Sequence, residues 1–274
     1  MQHRKIPAVR GLFWCVQAWR NLKASPQPVF TMAMWLSLGI FLPLLNFFVA
    51  ILMTVFYGGI ISTLHKKMTG QPAGLGDFFD GFKSAPRFLG LFMVGFPTFL
   101  FAILTSSVLF NALGPDAAKS LFQTGQPPSP ELLQSVLPVL IKVIIKLLPF
   151  GVVIGWIVFL AVPRVVLDKR LGLLALFDAM RAIFSNLGAM IFFTTGIFFA
   201  FVLASFIFNI LLVLIASAGA LAGILQILLM VMISTLGWSL YLNAMYIAWR
   251  DIFMQQTSAP MSDDSQIPET QIEV

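Results

Sequence analysis

The chain has 274 residues, of which 59% are hydrophobic and 10% charged, with a mean hydropathy of +0.93. A soluble domain carries roughly a quarter charged residues, so most of this surface is built to face something other than water. The net charge of +6 follows the basic bias of membrane loops rather than a nucleic-acid footprint, because no basic run is denser than Arg4-Lys5 or His65-Lys66-Lys67.

A bilayer span needs about 20 apolar residues in a helix, whose backbone satisfies its own hydrogen bonds. The apolar runs are too long and too uniform for barrel strands, which alternate every second residue. The expected class is therefore all-α: a polytopic membrane protein with a single membrane domain over 1–254. Cys15 is the only cysteine, so no intrachain disulfide is possible. With only His3 and His65 beside it, a Cys/His metal site is nearly excluded, and no cofactor is expected.

No small-residue cleavage site follows a short apolar region at the N-terminus, so the first apolar stretch is expected to remain as a transmembrane helix. Before it, residues 7–25 read as an amphipathic helix. Val9, Leu12, Phe13, Val16 and Trp19 fall on one face, and Arg10, Gln17 and Asn21 on the other. Its aromatic content and basic flanks suit a helix in the membrane interface, with Phe13, Trp14 and Trp19 as anchors near lipid headgroups.

The run 29–64 is too long for one span and carries Pro43 and Asn46 near its middle. It reads as a hairpin of spans 29–45 and 47–64. The polar segment 65–87 follows, with a short amphipathic helix over 77–83, and then a third span at 88–110. Residues 111–131 are polar and rich in Gly and Pro. A helix is expected from about 129–131 to Pro163, kinked at Pro149, with its membrane part at 147–163. The charged segment 164–186 carries a helix at 173–184. Spans five and six are expected at 187–214 and 220–248. The polar tail 255–274 is expected to be disordered and cytoplasmic.

Fourteen of the 17 Lys and Arg residues fall on one side of this arrangement, and Lys119, Lys142 and Lys146 on the other. The positive-inside rule then puts both termini in the cytoplasm. A weak parallel repeat is also visible. Leu64-His65-Lys66-Lys67 is similar to Leu167-Asp168-Lys169-Arg170, and Asp80, Lys83 and Gly90 match Asp178, Arg181 and Gly188 at identical spacing. The repeated unit is an interfacial helix followed by a helical hairpin, with the N-terminal helix opening a third, more degraded copy.

The start Gly11-Leu12-Phe13-Trp14, the loop Gly70-Gln71-Pro72 with Asp77-Phe78-Phe79-Asp80-Gly81-Phe82, and the matching region with Pro163, Asp178 and Asn186-Leu187-Gly188 carry a resemblance. Over roughly 8–250, the chain resembles uncharacterised proteobacterial six-helix inner-membrane proteins, including the YciC type. These are similar to the membrane domain attached to some glycerophosphodiester phosphodiesterases, whose catalytic domain has no counterpart here. The resemblance implies an integral protein of a bacterial inner membrane and no activity.

Several residues are site candidates. Asp80 with Lys83, and Asp178 with Arg181, are spaced for local salt bridges or for a cytoplasmic docking or gating element. Glu131, Ser135, Lys142 and Lys146 form a polar stripe among apolar neighbours. Its lysines either snorkel to the outer interface or hold a lipid phosphate or another anion there. Gly151 with Gly155, and Gly219 with Gly223, are spaced for close helix packing, within the chain or in a homo-oligomer. Asn209, Gln226 and Asn243 are placed for bonds across helices.

The six spans contain no Asp, Glu, Lys, Arg or His, although proton relays and ion-coupled carriers usually need such residues at membrane depth. There is no phosphate loop, no His-Glu-x-x-His and no Gly-x-Ser-x-Gly elbow, which argues against an enzyme and leaves the catalytic set empty. The remaining readings are a non-enzymatic protein that binds or organises membrane lipids or partner proteins, or a transporter or channel for a lipid-like or apolar substrate. Orientation is open to direct test with single cysteines at Gly125 and Asp264. An impermeant thiol reagent applied to intact, outer-membrane-permeabilised cells should label position 125 only. Labelling at 264 but not at 125 reverses the orientation.

Overall fold

Prolines and glycines set most of the helix boundaries. The computed structural model describes residues 3–115, 117, 130–216 and 219–254. Within them α1 (Arg10–Ala24) ends ahead of Pro26 and Pro28. Helix α2 (Val29–Phe41) stops where Leu42 turns extended before Pro43, and Pro43 opens α3 (Pro43–Met68). This is the usual effect of proline on its predecessor and at a first helical turn. A 3-10 helix (Leu75–Phe82) leads to α4 (Ala85–Leu113), which carries Pro86 in its first turn and ends at Gly114 with φ +77°. Helix α5 (Pro130–Leu167) runs through Pro138, Pro149 and Pro163. Then come α6 (Gly172–Ser185), α7 (Leu187–Ala216) and α8 (Ala222–Phe253).

Among the described residues, five helical stretches are long and apolar enough to cross a membrane: Phe48–Met68, Ala85–Leu113, Gln134–Leu167, Leu187–Ile215 and Ala222–Phe253. The chain is therefore a multi-pass, all-helical membrane protein. The expected first span is shorter than its sequence suggested. Helix α2 has 13 residues, about 20 Å at the usual rise, against a hydrocarbon thickness of about 30 Å. The break falls at Leu42 rather than near position 46. Helix α5, in contrast, is one 38-residue rod, about 57 Å long. The tail 255–274 and most of the Gly/Pro linker, including Lys119 and Gly125, lie outside the described residues, as does the side chain of Glu131.

Helices α3, α5 and α8 finish at the end of the bundle where α4 and α7 begin. Three helices cross that end. Helix α1 lies against α7 and α8, the 3-10 helix against α3, and α6 against α5 and α4. Small residues let them approach backbone to backbone. A Cβ on Gly11 would strike the Ala189 carbonyl, one on Gly81 the Val55 carbonyl, and one on Gly172 the Gly90 carbonyl. Most of the core lies at this end, including Trp14, Phe159, Met190, Leu242 and Trp249. Toward the far end packing thins. The most apolar stretch of α7 has no buried residue, and Ile224, Ile227 and Leu228 of α8 are exposed.

The amphipathic reading of α1 needs one correction. Phe13 and Trp19 are 53% and 45% exposed and face outward with Val9, Leu12 and Val16. Trp14, expected at the headgroups, is 0% exposed. It belongs to a second stripe with Gly11, Ala18 and Leu22 that docks into the bundle. Its ring packs against Phe193 at 5.8 Å and Phe159 at 6.3 Å. The small Gly11 and Ala18 open the space that the large indole then fills. Variants keeping only Trp14 or only Trp19 should therefore behave differently in bilayers brominated near the headgroup. Trp19 emission should be quenched and Trp14 emission spared. Equal quenching of both would mean that α1 is not docked.

Candidate functional site

Ion pairs cluster around the three crossing helices at the packed end. At the 3-10 helix, the buried Asp80 accepts from Ser62 Oγ at 2.8 Å. It also pairs with Lys66 at 3.1 Å and Lys83 at 2.5 Å. Lys66 reaches Asp77 as well, at 2.6 Å. The expected Asp80 and Lys83 pair is thus part of a larger cluster.

The matching expectation for Asp178 does not hold. Its carboxylate faces Arg164 at 2.7 Å and Arg170 at 3.2 Å, while Arg181 is exposed. Arg164 is only 1% exposed. It pairs with Asp168 at 2.6 Å, and its guanidinium lies 4.5 Å over the Phe253 ring. Trp249 Nε1 donates to the same Asp168 at 2.9 Å. A buried guanidinium left without its carboxylate is costly, so Arg164, with Arg170 beside it, takes the Asp178 carboxylate from the solvated Arg181 one helical turn away. The spacing of Arg164 and Asp168 on one helix face was the sequence signal for this cluster, masked by counting Arg164 as a loop cation.

The third crossing helix is fastened in the same manner. Asp251, on α8, accepts from Arg10 Nε at 2.7 Å and Trp14 Nε1 at 3.0 Å. The N-terminal strand of chain is stitched down beside it. Arg4 N–H donates to the Ile252 carbonyl at 2.9 Å, and Ile6 N–H to Asn186 Oδ1 at 2.8 Å. Each of these carboxylates is engaged by a cation or a donor, and together they fasten the three crossing helices to the bundle.

The other candidates scatter. Gly151 meets the Phe101 ring of α4, with a Cβ placed there 3.0 Å from it, whereas Gly155, Gly219 and Gly223 face open space. The Asn209 and Asn243 side-chain amides donate to Ser205 and Ser239 of their own helices, at 2.7 and 2.8 Å, and not across helices. The intrahelical carbonyl four residues back is nearer than any partner. Gln226 lies on the exposed part of α8.

Lys142 and Lys146 are brought together. They line a cavity of about 410 Å³ between α4 and α5, with Val108, Ala112, Val139, Val143 and Leu147. Both lysines are exposed, and neither forms an ion pair with a carboxylate among the described residues. Ser135, of the same polar stripe, bonds to the Leu132 carbonyl at 2.9 Å. Elsewhere among the described residues no three His, Cys, Asp or Glu side chains are placed to hold a metal. Two cations one turn apart beside apolar walls would complement an amphiphilic anion by charge and by apolar contact together.

No protein-family model matches this chain, and neither a curated protein nor a solved structure with significant similarity to it was found.

The carboxylates at the packed end give stability a definite pH dependence. Burial alone would raise the pKa of Asp178. The hydrogen bond and charge of Arg164, helped by Arg170, outweigh it and hold the group below the ordinary carboxylate range. Asp80 is likewise held low against its burial, by Lys83, Ser62 and Lys66. A depressed folded pKa stabilises the fold above the unfolded value of about 3.9, and that stabilisation is lost as pH falls through the folded value. Asp178→Asn should therefore cost about 3 kcal/mol at pH 7, as for a broken buried pair. Thermal unfolding in detergent should show its gap from wild type closing below about pH 4. A gap of constant size would mean that the pair contributes nothing through its charge.

Proposed function

We propose that this chain is a non-enzymatic membrane protein that binds lipid, with the cavity between α4 and α5 as its headgroup site. The observation that carries the reading is the pairing of Lys142 and Lys146 in an otherwise apolar cavity. Plain snorkelling needs neither the cavity nor a second lysine one turn away.

The reading has a topological part. Helix α2 and α3 together form the first hairpin, so that the chain crosses or enters the membrane six times, with the packed end and both termini cytoplasmic in a bacterial inner membrane. The unit of crossing helix plus hairpin is repeated three times in parallel. In support, Lys66 and Asp80 are 14 residues apart in sequence, as are Arg164 and Asp178, and α1 is fastened to the end of α8. The resemblance to six-helix inner-membrane proteins of the YciC type fits the same reading. The thin packing of α7 against α8 at the far end favours, as a second reading, passage of a lipid-like cargo, which a lipid-translocation assay in vesicles would detect.

Reconstitution tests the primary reading. Wild type should retain anionic lipid over zwitterionic lipid, and the Lys142→Gln/Lys146→Gln double variant should lose most of that preference. Each lysine contributes on the order of 1 kcal/mol near an anionic surface. Equal retention by the two proteins would leave the lysines as interface anchors only.

A further inference from the structure

The geometry points to a lipid whose headgroup is a phosphate monoester, not a diester, as the ligand of the Lys142 and Lys146 cavity; this rests on the lipid-binding reading above.

Depth is the first argument. Lys146 and Lys142 precede Arg164 by 18 and 22 residues on one continuous helix. At the α-helical rise these are about 27 and 33 Å. Arg164 belongs to the charged cluster at the packed end. A hydrocarbon layer of about 30 Å measured from there ends between the two lysines, at the headgroup level of the opposite leaflet.

Charge is the second. Side chains at i and i+4 have Cβ atoms about 5–6 Å apart, so both ammonium groups reach one phosphorus centre. The described lining otherwise consists of Val108, Ala112, Val139, Val143 and Leu147 and carries no charge to offset theirs. A phosphate monoester has a second pKa of about 6 and carries close to two negative charges at neutral pH, with three acceptor oxygens. It matches two lysines charge for charge. A phosphodiester brings one charge and leaves one ammonium uncompensated beside hydrocarbon.

Size and shape are the third. The cavity of about 410 Å³ holds roughly a dozen water-sized groups. That is room for a phosphate and a glycerol backbone, not for a whole lipid. The acyl chains would continue along exposed apolar side chains of the two bordering helices, Leu104 on α4 and Ile145 and Leu148 on α5.

The test compares phosphatidic acid with phosphatidylmethanol. The two differ by a single methyl on the phosphate, which removes the second charge. The full-length protein is exchanged into mixed micelles of both with phosphatidylcholine, and retained lipid is counted by native mass spectrometry at neutral pH. Wild type should retain phosphatidic acid over phosphatidylmethanol by about fivefold, the factor that one further charge contact of about 1 kcal/mol gives. Lys142→Gln and Lys146→Gln should each bring that ratio close to one, and the Lys142→Arg/Lys146→Arg variant should restore it. Equal retention of the two anionic lipids, both above phosphatidylcholine and both lysine-dependent, would overturn the monoester assignment and leave the lipid-binding reading standing. Equal retention of all three by wild type would overturn both. Inorganic phosphate and glycerol 3-phosphate are added as competitors and should not displace phosphatidic acid at matched concentration. Displacement by either would make the ligand a soluble phosphate and overturn the lipid source. The wild-type ratio decides the matter even where a glutamine variant fails to fold.

Discussion

The guanidinium of Arg164 is the point on which the packed end depends. It sits on α5, meets Asp178 of α6, and lies over the Phe253 ring of α8. Through Asp168 it also shares a partner with Trp249 of α8. Removing such a charge from water costs several kcal/mol unless geometry and further hydrogen bonds repay it. That requirement shapes the backbone. The chain leaves α5 at Leu167 and turns back, with Lys169 at φ 52° and Arg170 N–H bonded to the Arg164 carbonyl at 3.2 Å. The turn delivers Asp168 and then Asp178 of α6 to the same guanidinium, with Arg170 as a second cation on Asp178. One buried cation thus fixes the path of the chain over a full element.

The two ends of the bundle follow different physics. At the packed end, glycine contacts and ion pairs hold the crossing helices directly on the hairpins. At the far end most side chains of α7 and of the first half of α8 are apolar and exposed, which in water would be untenable and in hydrocarbon carries no penalty. Association in lipid rests on van der Waals contact and polar bonds rather than on apolar burial. The far halves supply few of either. Local stability is therefore graded along the bundle axis, high where the charges sit and low where Lys142 and Lys146 face their cavity.

The all-helical class and several boundaries were legible in the sequence, because long apolar runs punctuated by Pro and Gly leave little choice. The helices at 10–24, at 172–185 and through the three prolines of α5 fall within a few residues of expectation. What was not legible is which partner a polar group takes once the helices are packed. Asp178 had Arg181 close in sequence, yet Arg164, 14 residues back, is the cation that burial forces into its reach. Trp14 has two possible homes on an amphipathic helix, and the deciding factor was the room left by Gly11 and Ala18. The coincidence of Lys142 and Lys146 with a cavity needed α4 in place. The lysines alone marked a stripe, and Val108 and Ala112 across the gap make it one wall of a cavity.

The three crossing helices also differ in how far water reaches their fastenings. Arg164 has a side chain 1% exposed, while Arg10 is 44% exposed opposite Asp251 and Lys83 61% exposed opposite Asp80. Mobile ions screen exposed pairs and hardly touch buried ones. A rise in ionic strength therefore weakens the Arg10–Asp251 and Lys83–Asp80 pairs and leaves the pairs of Arg164 with α6 in place. Acid acts at Asp80 and Asp178, whose carboxylates are held low. The 3-10 helix thus answers to salt and to protons together, while the seat of α6 answers to protons.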